Sequence, residues 1–330
     1  MQELTRDALL ARAAELLENG TVDRVLGWKR GEFAYDVTPA VFKSADEMKE
    51  SFVWGDFCGA NFSKYLIAET KKSENKVLAF LKPCDTYSFN QLLTEHRFDR
   101  EKVYAIGIPC DGMVDIAKIR EKADGIASVD TNGDKLIVHT LFDGDVTLDR
   151  AEMLAERCTV CKSKKHVAYD ELLGEEGDVV DSARFDEVAK IEAMTPDERF
   201  AFWQGELSRC IRCNACRDVC PACTCEKCVF NNPNSGVENK SPANSFEEQM
   251  FHIIRAFHVA GRCTDCGECS RVCPQHIPLH LLNRKFIKDI DSFYGEYQAG
   301  AEVGSRAPHI NYTEGDIEPS DAVKRGDENA

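Results

Sequence analysis

Cysteine is the residue type in this chain with the clearest capacity for chemistry. There are sixteen in 330 residues, and most fall at fixed spacings. Cys210-x2-Cys213-x2-Cys216-x3-Cys220-Pro221 is repeated, starting 53 residues later, as Cys263-x2-Cys266-x2-Cys269-x3-Cys273-Pro274. Three closely spaced thiolates can wrap three corners of an iron–sulfur cube. The fourth, carried away where the chain turns at proline, ligates the other cluster. One [4Fe–4S] cluster is thus expected on Cys210, Cys213, Cys216 and Cys273, and a second on Cys263, Cys266, Cys269 and Cys220. Zinc prefers two separated pairs of ligands, whereas each motif here offers four cysteines and occurs twice.

A third thiolate set is legible upstream. Pro83-Cys84-Asp85 and Pro109-Cys110-Asp111 repeat at an interval of 26 residues, each after an apolar run of strand length. In a parallel sheet both cysteines would emerge at carboxyl ends of strands, where open α/β folds bind ligands. Neighbouring strands are about 5 Å apart, so the two can face one site. Asp85 and Asp111 suit helix N-caps, and a helix N-terminus behind each would favour an anionic cluster. Cys158-x2-Cys161 can supply two more ligands, making Cys84, Cys110, Cys158 and Cys161 a third four-thiolate site. Four thiolates would also satisfy zinc.

Cys223, Cys225 and Cys228 follow Cys220 directly. With Cys58 they would complete a fourth set, or one of them could replace Cys220. Cys58, far upstream, also reads as a small buried hydrophobe. Lys162, Lys164, Lys165 and His166 follow Cys161. Such a run is ordinarily a solvated face, and it could also hold a flavin pyrophosphate or offset a cluster's negative charge. His252, His258, His276 and His280 read as packing or surface residues, and Trp28, Trp54 and Trp203 as core or interface anchors. No Ser–His–Asp set or carboxylate pair stands out for hydrolysis.

These ligands require an α/β scaffold followed by helices. Leu9, Leu10, Ala13, Leu16 and Leu17 have helical spacing. Val22–Trp28, Phe33–Val37, Val77–Leu81 and Val103–Ile108 read as strands, the last two each leading into a helix, the alternation of a mostly parallel sheet. Asn132-Gly133 within Ser128–Thr140 signals a hairpin. Asp170–Asp181 carries six acids and no base and reads as a solvated linker. Thr195-Pro196-Asp197-Glu198 is a capping box with proline at the first helical position, predicting a helix to about Ser208. Asn231–Asn244 is loop-like. A helix follows whose buried face should be Phe246, Met250, Ile253, Ile254 and Phe257. Another is expected over Leu279–Ile290, and a mobile or partner-ordered tail from about Ala299. The expected division is an α/β domain (1–170), an acidic linker (171–195), an α-helical two-cluster ferredoxin domain (196–292) and a polar tail (293–330).

The net charge of −16 and the absence of a clustered basic stripe argue against nucleic acid. No apolar run approaches the roughly 20 residues of a membrane span, and Met1-Gln2-Glu3-Leu4 does not begin a secretory signal. A cytoplasmic protein is expected, in which sixteen cysteines point to metal rather than disulfides.

The paired motifs have the two-cluster spacing of bacterial ferredoxins. Their wide separation resembles the helical ferredoxin modules of succinate dehydrogenase and heterodisulfide reductase iron–sulfur subunits. Strand-Pro-Cys84, strand-Cys110 and then Cys158-x2-Cys161 resemble the beta subunits of coenzyme F420-reducing hydrogenases and F420-dependent formate dehydrogenases. Leu81-Lys82-Pro83-Cys84-Asp85 and the Cys220-Pro-x-Cys223-x-Cys225 portion are similar to sulfhydrogenase beta subunits, and the former also to anaerobic sulfite reductase A subunits. Together these cover roughly residues 75–290. The chain departs from the F420 branch by lacking its N-terminal cysteine motif and the acidic stretch after Cys-x2-Cys, and it has no G-x-G-x-x-G fingerprint. The resemblance implies an iron–sulfur subunit relaying electrons to catalytic and flavoprotein partner subunits, with FAD as the cofactor of the F420-reducing branch. The alternative is a flavin-containing catalytic subunit that reduces F420, NAD(P) or a sulfur compound. A structural zinc protein is a third class.

Overall fold

The computed structural model describes residues 4–33, 35–162, 164–178, 183–231 and 245–311. Helix α1 (Arg6–Glu18) is capped by Thr5 and buries Leu9, Ala13 and Leu16. It leads into β1 (Val22–Arg30) and β2 (Val37–Phe42), an antiparallel pair. The strand expected at Phe33–Val37 is instead the turn between them. Phe33 and Tyr35 stack there at 5.3 Å, and Gly31 N donates to Asp36 O. Helices α2 (Ala45–Ser51) and α3 (Ser63–Glu69) precede β3 (Lys76–Leu81), α4 (Pro83–Thr94) and β4 (Val103–Gly107).

The main sheet has the order β2-β1-β3-β4 and then the short edge strand Glu171–Leu172, parallel from β1 onward. β3 and β4 are nearly continuous apolar runs because both faces of this sheet are covered. Residues Val77 to Leu81 are all buried. Trp28 is buried against Phe62 and Trp54, at 4.3 and 5.0 Å.

After β4 the chain does not enter a helix at once. Helix α5 (Ile116–Arg120) starts only at Asp115, whose side chain accepts from Ala117 N. Asp111 is therefore not an N-cap, and no helix end stands behind Cys110. A second sheet follows, built from β5 (Ile126–Asn132), β6 (Lys135–Thr140) and β7 (Asp145–Asp149), all antiparallel. Asn132 pairs with Lys135 across Gly133, which has φ +60°. Short helices α6 (Arg150–Met153) and α7 (Glu156–Thr159) return the chain to the main sheet.

The acidic stretch is not simply solvated. Glu171–Leu172 forms β8 at the sheet edge, because Arg12 binds the Glu171 carboxylate with bonds of 2.9–3.0 Å and Asp170 takes Arg100. Helix α8 (Asp186–Glu192) follows. Thr195 and Glu198 then make the expected capping box for α9 (Pro196–Ser208).

The helical part continues with α10 (Ala215–Asp218), α11 (Ser245–Val259), α12 (Glu268–Arg271) and α13 (Leu279–Tyr294). The loop expected at Asn231–Asn244 lies outside the described residues after Asn231. Residues 299–311 are not a mobile tail. Ala299 and Ala307 are buried, Gly304 N donates to Thr94 Oγ1, and His309 packs on Gly261. The remainder of the polar tail is outside the described residues. Among the described residues no helix is long and apolar enough to cross a membrane.

Helix α11 is turned over relative to expectation. Met250, Ile253 and Phe257 are exposed, whereas Glu248, Phe251, His252, Arg255 and Val259 are buried. The reason lies in what the helix covers.

Candidate metal centre

The two cysteine motifs fold alike. Arg212 and Asn214 in the first match Asp265 and Gly267 in the second, and all four have φ between 53° and 67°. Left-handed residues at alternate positions curl the backbone around the thiols and aim N–H groups inward, a nest that suits an anion. Arg212 N donates to Cys210 Sγ at 3.4 Å.

The structure brings Cys210, Cys213, Cys216 and Cys273 around one small cavity, so a cysteine of the second motif lies beside three of the first. Cys220 makes the reverse exchange. Its thiol is an electrostatic neighbour of Cys263, Cys266 and Cys269. Cys216 neighbours Cys269, so the two sets adjoin.

The third set assembles where β3 and β4 end. Leu81 pairs with Gly107, and Ile108 N donates to Leu81 O, so Cys84 and Cys110 leave adjacent strands. Cys84 sits in the first turn of α4. Lys82 is the N-cap of that helix, and Asp85 accepts from the Lys82 N–H rather than capping it as expected. Met113 N donates to Cys158 Sγ at 3.3 Å. Gly112, at φ +103°, lets the chain pass there, since a Cβ would stand 3.3 Å from that of Cys158. Cys84, Cys110, Cys158 and Cys161 all line one small cavity, and Cys266 of the second motif lines it too.

Sequence reasoning missed the cations around this cavity: Lys82, Arg157 and Arg284, beside the Lys162 and Lys164 that it noted. The lysine run is not a free surface. Lys164 Nζ donates to Cys110 O at 2.8 Å, and Lys162 Nζ donates to Thr264 O. Buried His166 bridges the strand ends through Leu81 O and Ile108 O, both at 3.1 Å. Lys82 is 1% exposed and pairs with Asp85 at 2.8 Å. Of these five cations, Lys82, Arg157 and Arg284 are paired with Asp85, Glu268 and Asp265, and Lys162 and Lys164 donate to backbone carbonyls, which leaves a positive excess suited to an object with net negative charge.

Helix α11 covers the two motif sites with its polar side. Glu248, His252 and Arg255 recur at i, i+4 and i+7, a stripe that could have been read from the sequence. Arg255 is 2% exposed, its charged neighbours are Cys269, Cys216, Cys220 and Cys223, and its Nε and Nη1 have no partner among the described residues. His252 lines the first cavity and neither ring nitrogen has a partner. Burial, with Arg255 and Arg212 nearby, lowers its pKa to about 3, so the ring is neutral. Asn283 Nδ2 donates to Cys269 Sγ at 3.7 Å. Buried donors without acceptors are costly unless something else accepts, and sulfide or thiolate sulfur would. The residues therefore fit iron–sulfur clusters.

A single ion fits less well. Zinc–thiolate bonds of about 2.3 Å in a tetrahedron hold the sulfurs about 4 Å apart. Among the described residues only Cys210, Glu248 and His252 bring ligand atoms within 4.8 Å of one another as a group of three or more. Burial also holds thiols protonated, pushing Cys110 up to about 11, with help from Cys158, and Cys216 to about 11. Metal binding here must release protons. Cys220 differs: a hydrogen bond from the Cys223 thiol, with Arg255 nearby, lowers its pKa.

The fourth set imagined with Cys58 does not form. Cys58 is 1% exposed, its Sγ points at Val53 O, and its neighbours are Lys82 and Cys110. Cys223, Cys225 and Cys228 line a different cavity. His280 is not a surface residue either; it is buried, with Ser270 Oγ at 2.7 Å and Glu156 at 2.6 Å.

The two parts of the chain meet through buried polar contacts. Ser88 Oγ and Thr264 Oγ1 are 2.8 Å apart. The Glu268 carboxylate, fully buried, accepts from Arg157 at 2.6 Å, Arg271 at 2.7 Å and Asn61 N at 3.2 Å. Gly267 packs directly on the Arg157 side chain.

Comparison with known proteins agrees with this chemistry. The model of a 4Fe-4S dicluster domain matches residues 206–277. The chain is 25% identical to the F420-dependent formate dehydrogenase subunit beta of Methanocaldococcus jannaschii, over 86% of this chain and 89% of the relative. It is 24% identical to the corresponding subunit 1 beta of Methanococcus maripaludis, with the same coverage. Among solved structures, a chain of the F420-reducing [NiFe] hydrogenase complex from Methanosarcina barkeri aligns with a TM-score of 0.37 and 15% identity, covering 57% of this chain and 76% of that one. The chain is an iron–sulfur protein similar to such beta subunits, as its cysteine pattern implied.

Proposed function

We propose that this chain relays single electrons between subunits of a cytoplasmic oxidoreductase complex, on three [4Fe–4S] clusters. The sets are Cys210/Cys213/Cys216/Cys273, Cys263/Cys266/Cys269/Cys220 and Cys84/Cys110/Cys158/Cys161. One observation carries the reading: the three sets are contiguous. Cys216 neighbours Cys269, and Cys266 lines the cavity of the third set. When bound, the clusters supply one-electron carriers. The chain's own residues exclude water, fix the spacing and set the potentials. Arg255 serves the first two sets, and Lys82, Arg157 and Lys164 the third, because buried cations favour the more negative, reduced state.

The similarity to formate dehydrogenase beta subunits supports a catalytic partner of that class, a hydrogenase or a heterodisulfide-reductase-like flavoprotein. All sixteen cysteines are free thiols, which suits a reducing compartment. The test is anaerobic purification of the full chain with iron and sulfide analysis. About 12 irons per chain are expected from these three sets, with no unaided turnover of F420 or a pyridine nucleotide. Colourless, iron-free protein would refute the proposal.

One observation favours a flavin-containing variant of this role. A wide cleft at the carboxyl end of the main sheet is lined by Trp54, Cys110, Arg150 and Lys164, with Asp56, Asp111 and Glu175 on the same walls. An aromatic ring beside a thiolate set suits an isoalloxazine, although Arg150 is paired with Asp56 and Lys164 with Cys110 O. Near-stoichiometric FAD released on denaturation would support it, and a flavin-free supernatant would dismiss it.

A further inference from the structure

Four thiols remain outside these sets. Cys58 is buried apart from the rest, and the other three converge: Cys223, Cys225 and Cys228 line one cavity. Its other walls carry Lys64, Arg97, Arg217, Arg255 and Arg262 against two acids, Asp218 and Glu226, an excess of positive charge in a chain whose net charge is −16. Some of these cations already have partners. Arg262 pairs with Glu95 at 2.6 Å, and Arg217 donates to Asn231 Oδ1 at 2.6 Å. Arg255 is 2% exposed and bonds to Cys269, with Cys223 among its charged neighbours, and its Nε and Nη1 have no partner among the described residues. Arg97 Nε is likewise buried and unpartnered. Arg97 Nη2 donates to Thr224 O, and the unsatisfied nitrogens that remain on these two guanidinium groups would favour an anionic acceptor.

The ligand class follows from the donors and their spread. Three soft thiolates select iron–sulfur clusters, zinc or copper(I). The three thiols do not come within 4.8 Å of one another as a group, so they are not drawn in around a single ion. The same spread characterises the three sets above. Cys223 hydrogen-bonds to Cys220, and both Cys223 and Cys263 pack on the small core of Cys220, Ala222 and Val259, which places this group against the second set.

We propose that Cys223, Cys225 and Cys228 hold a fourth iron–sulfur cluster on three thiolates, with the arginine-walled cavity beside it. This goes beyond the relay reading and rests on it only in requiring that the chain take up iron.

The test uses the anaerobically purified full chain, the wild type beside Cys225→Ser and Cys228→Ser. Cys223 is left alone because its substitution would disturb Cys220. Three or four additional irons per chain are expected in the wild type, a total of about 15 or 16. Each variant should lose that increment and keep about 12. In the wild type, Cys225 and Cys228 should resist iodoacetamide until the protein is stripped of iron, even though Cys225 is exposed. If a variant misfolds and loses all its iron, the alkylation result on the wild type still decides. A wild type with about 12 irons that alkylates readily at Cys225 and Cys228 would overturn this proposal and leave the three-cluster relay intact. An iron-free wild type would end both.

Discussion

Replacing Glu268 with alanine should loosen the joint between the α/β and helical parts by about 3 kcal/mol. The carboxylate is fully buried between Arg157, Arg271 and the Asn61 N–H. Burial alone would raise its pKa, yet Arg271 and Arg157 hold it down to about 2 from an ordinary value of 4.5. A drop of that size, at 1.36 kcal/mol per unit, corresponds to about 3 kcal/mol. Breaking a buried pair by removing one partner typically costs about 3–5 kcal/mol, because the other charge is stranded. The folded-state value lies below the free one, so the contribution is complete above about pH 4.5 and drains away as pH falls toward 2. Anaerobic urea denaturation at neutral pH, followed by cluster absorbance and far-UV dichroism, should show a lower midpoint for Glu268→Ala. Arg157→Met combined with Glu268→Leu should cost less than the sum of the single changes. A Glu268→Ala midpoint within about 0.5 kcal/mol of wild type would refute the view that this carboxylate joins the two parts.

Other perturbations probe separate links. Arg255→Leu removes a buried positive charge from the first two sets and should make at least one cluster harder to reduce, by on the order of 100 mV, as read by potentiometric EPR titration. Cys158→Ser should remove about four irons per chain while the two motif clusters keep their reduced-state EPR signals. The His139 imidazole lies between Asp145 and Asp130, at 2.7 and 3.0 Å, and its pKa is raised above 6.5 by those bonds. The small stabilisation it gives is therefore full below pH 6.5 and lost as pH rises through the raised value. NMR titration should show Asp145→Asn moving that pKa back down.

The cysteine ladder, the strands carrying Cys84 and Cys110, and the capping box at Thr195 were legible because each depends on residues close together in sequence. What was missed depended on distant partners. The acidic residue Glu171 joins the sheet edge because Arg12, 159 residues away, binds its carboxylate. Helix α11 has a clear apolar stripe, but it covers thiols rather than a hydrocarbon core, so Glu248, His252 and Arg255 turn inward and Met250, Ile253 and Phe257 turn out. Hydrophobic periodicity locates a helix, but here it gave the wrong face, because the interior was charged. Asp111 failed as a cap because Gly112 turns the chain away, and the next helix starts at Ile116.

The proposed swap of Cys220 and Cys273 between neighbouring thiol sets has a consequence for how the molecule is built and how it fails. With those ligand sets, neither half of the helical region would own a complete set, so the two halves would have to ripen together, like links that can only be closed once both are threaded. Damage should travel the same way: oxidative loss of iron at one centre unfastens a strut that the other also needs. Decay under air should therefore proceed by pairs of clusters rather than one at a time.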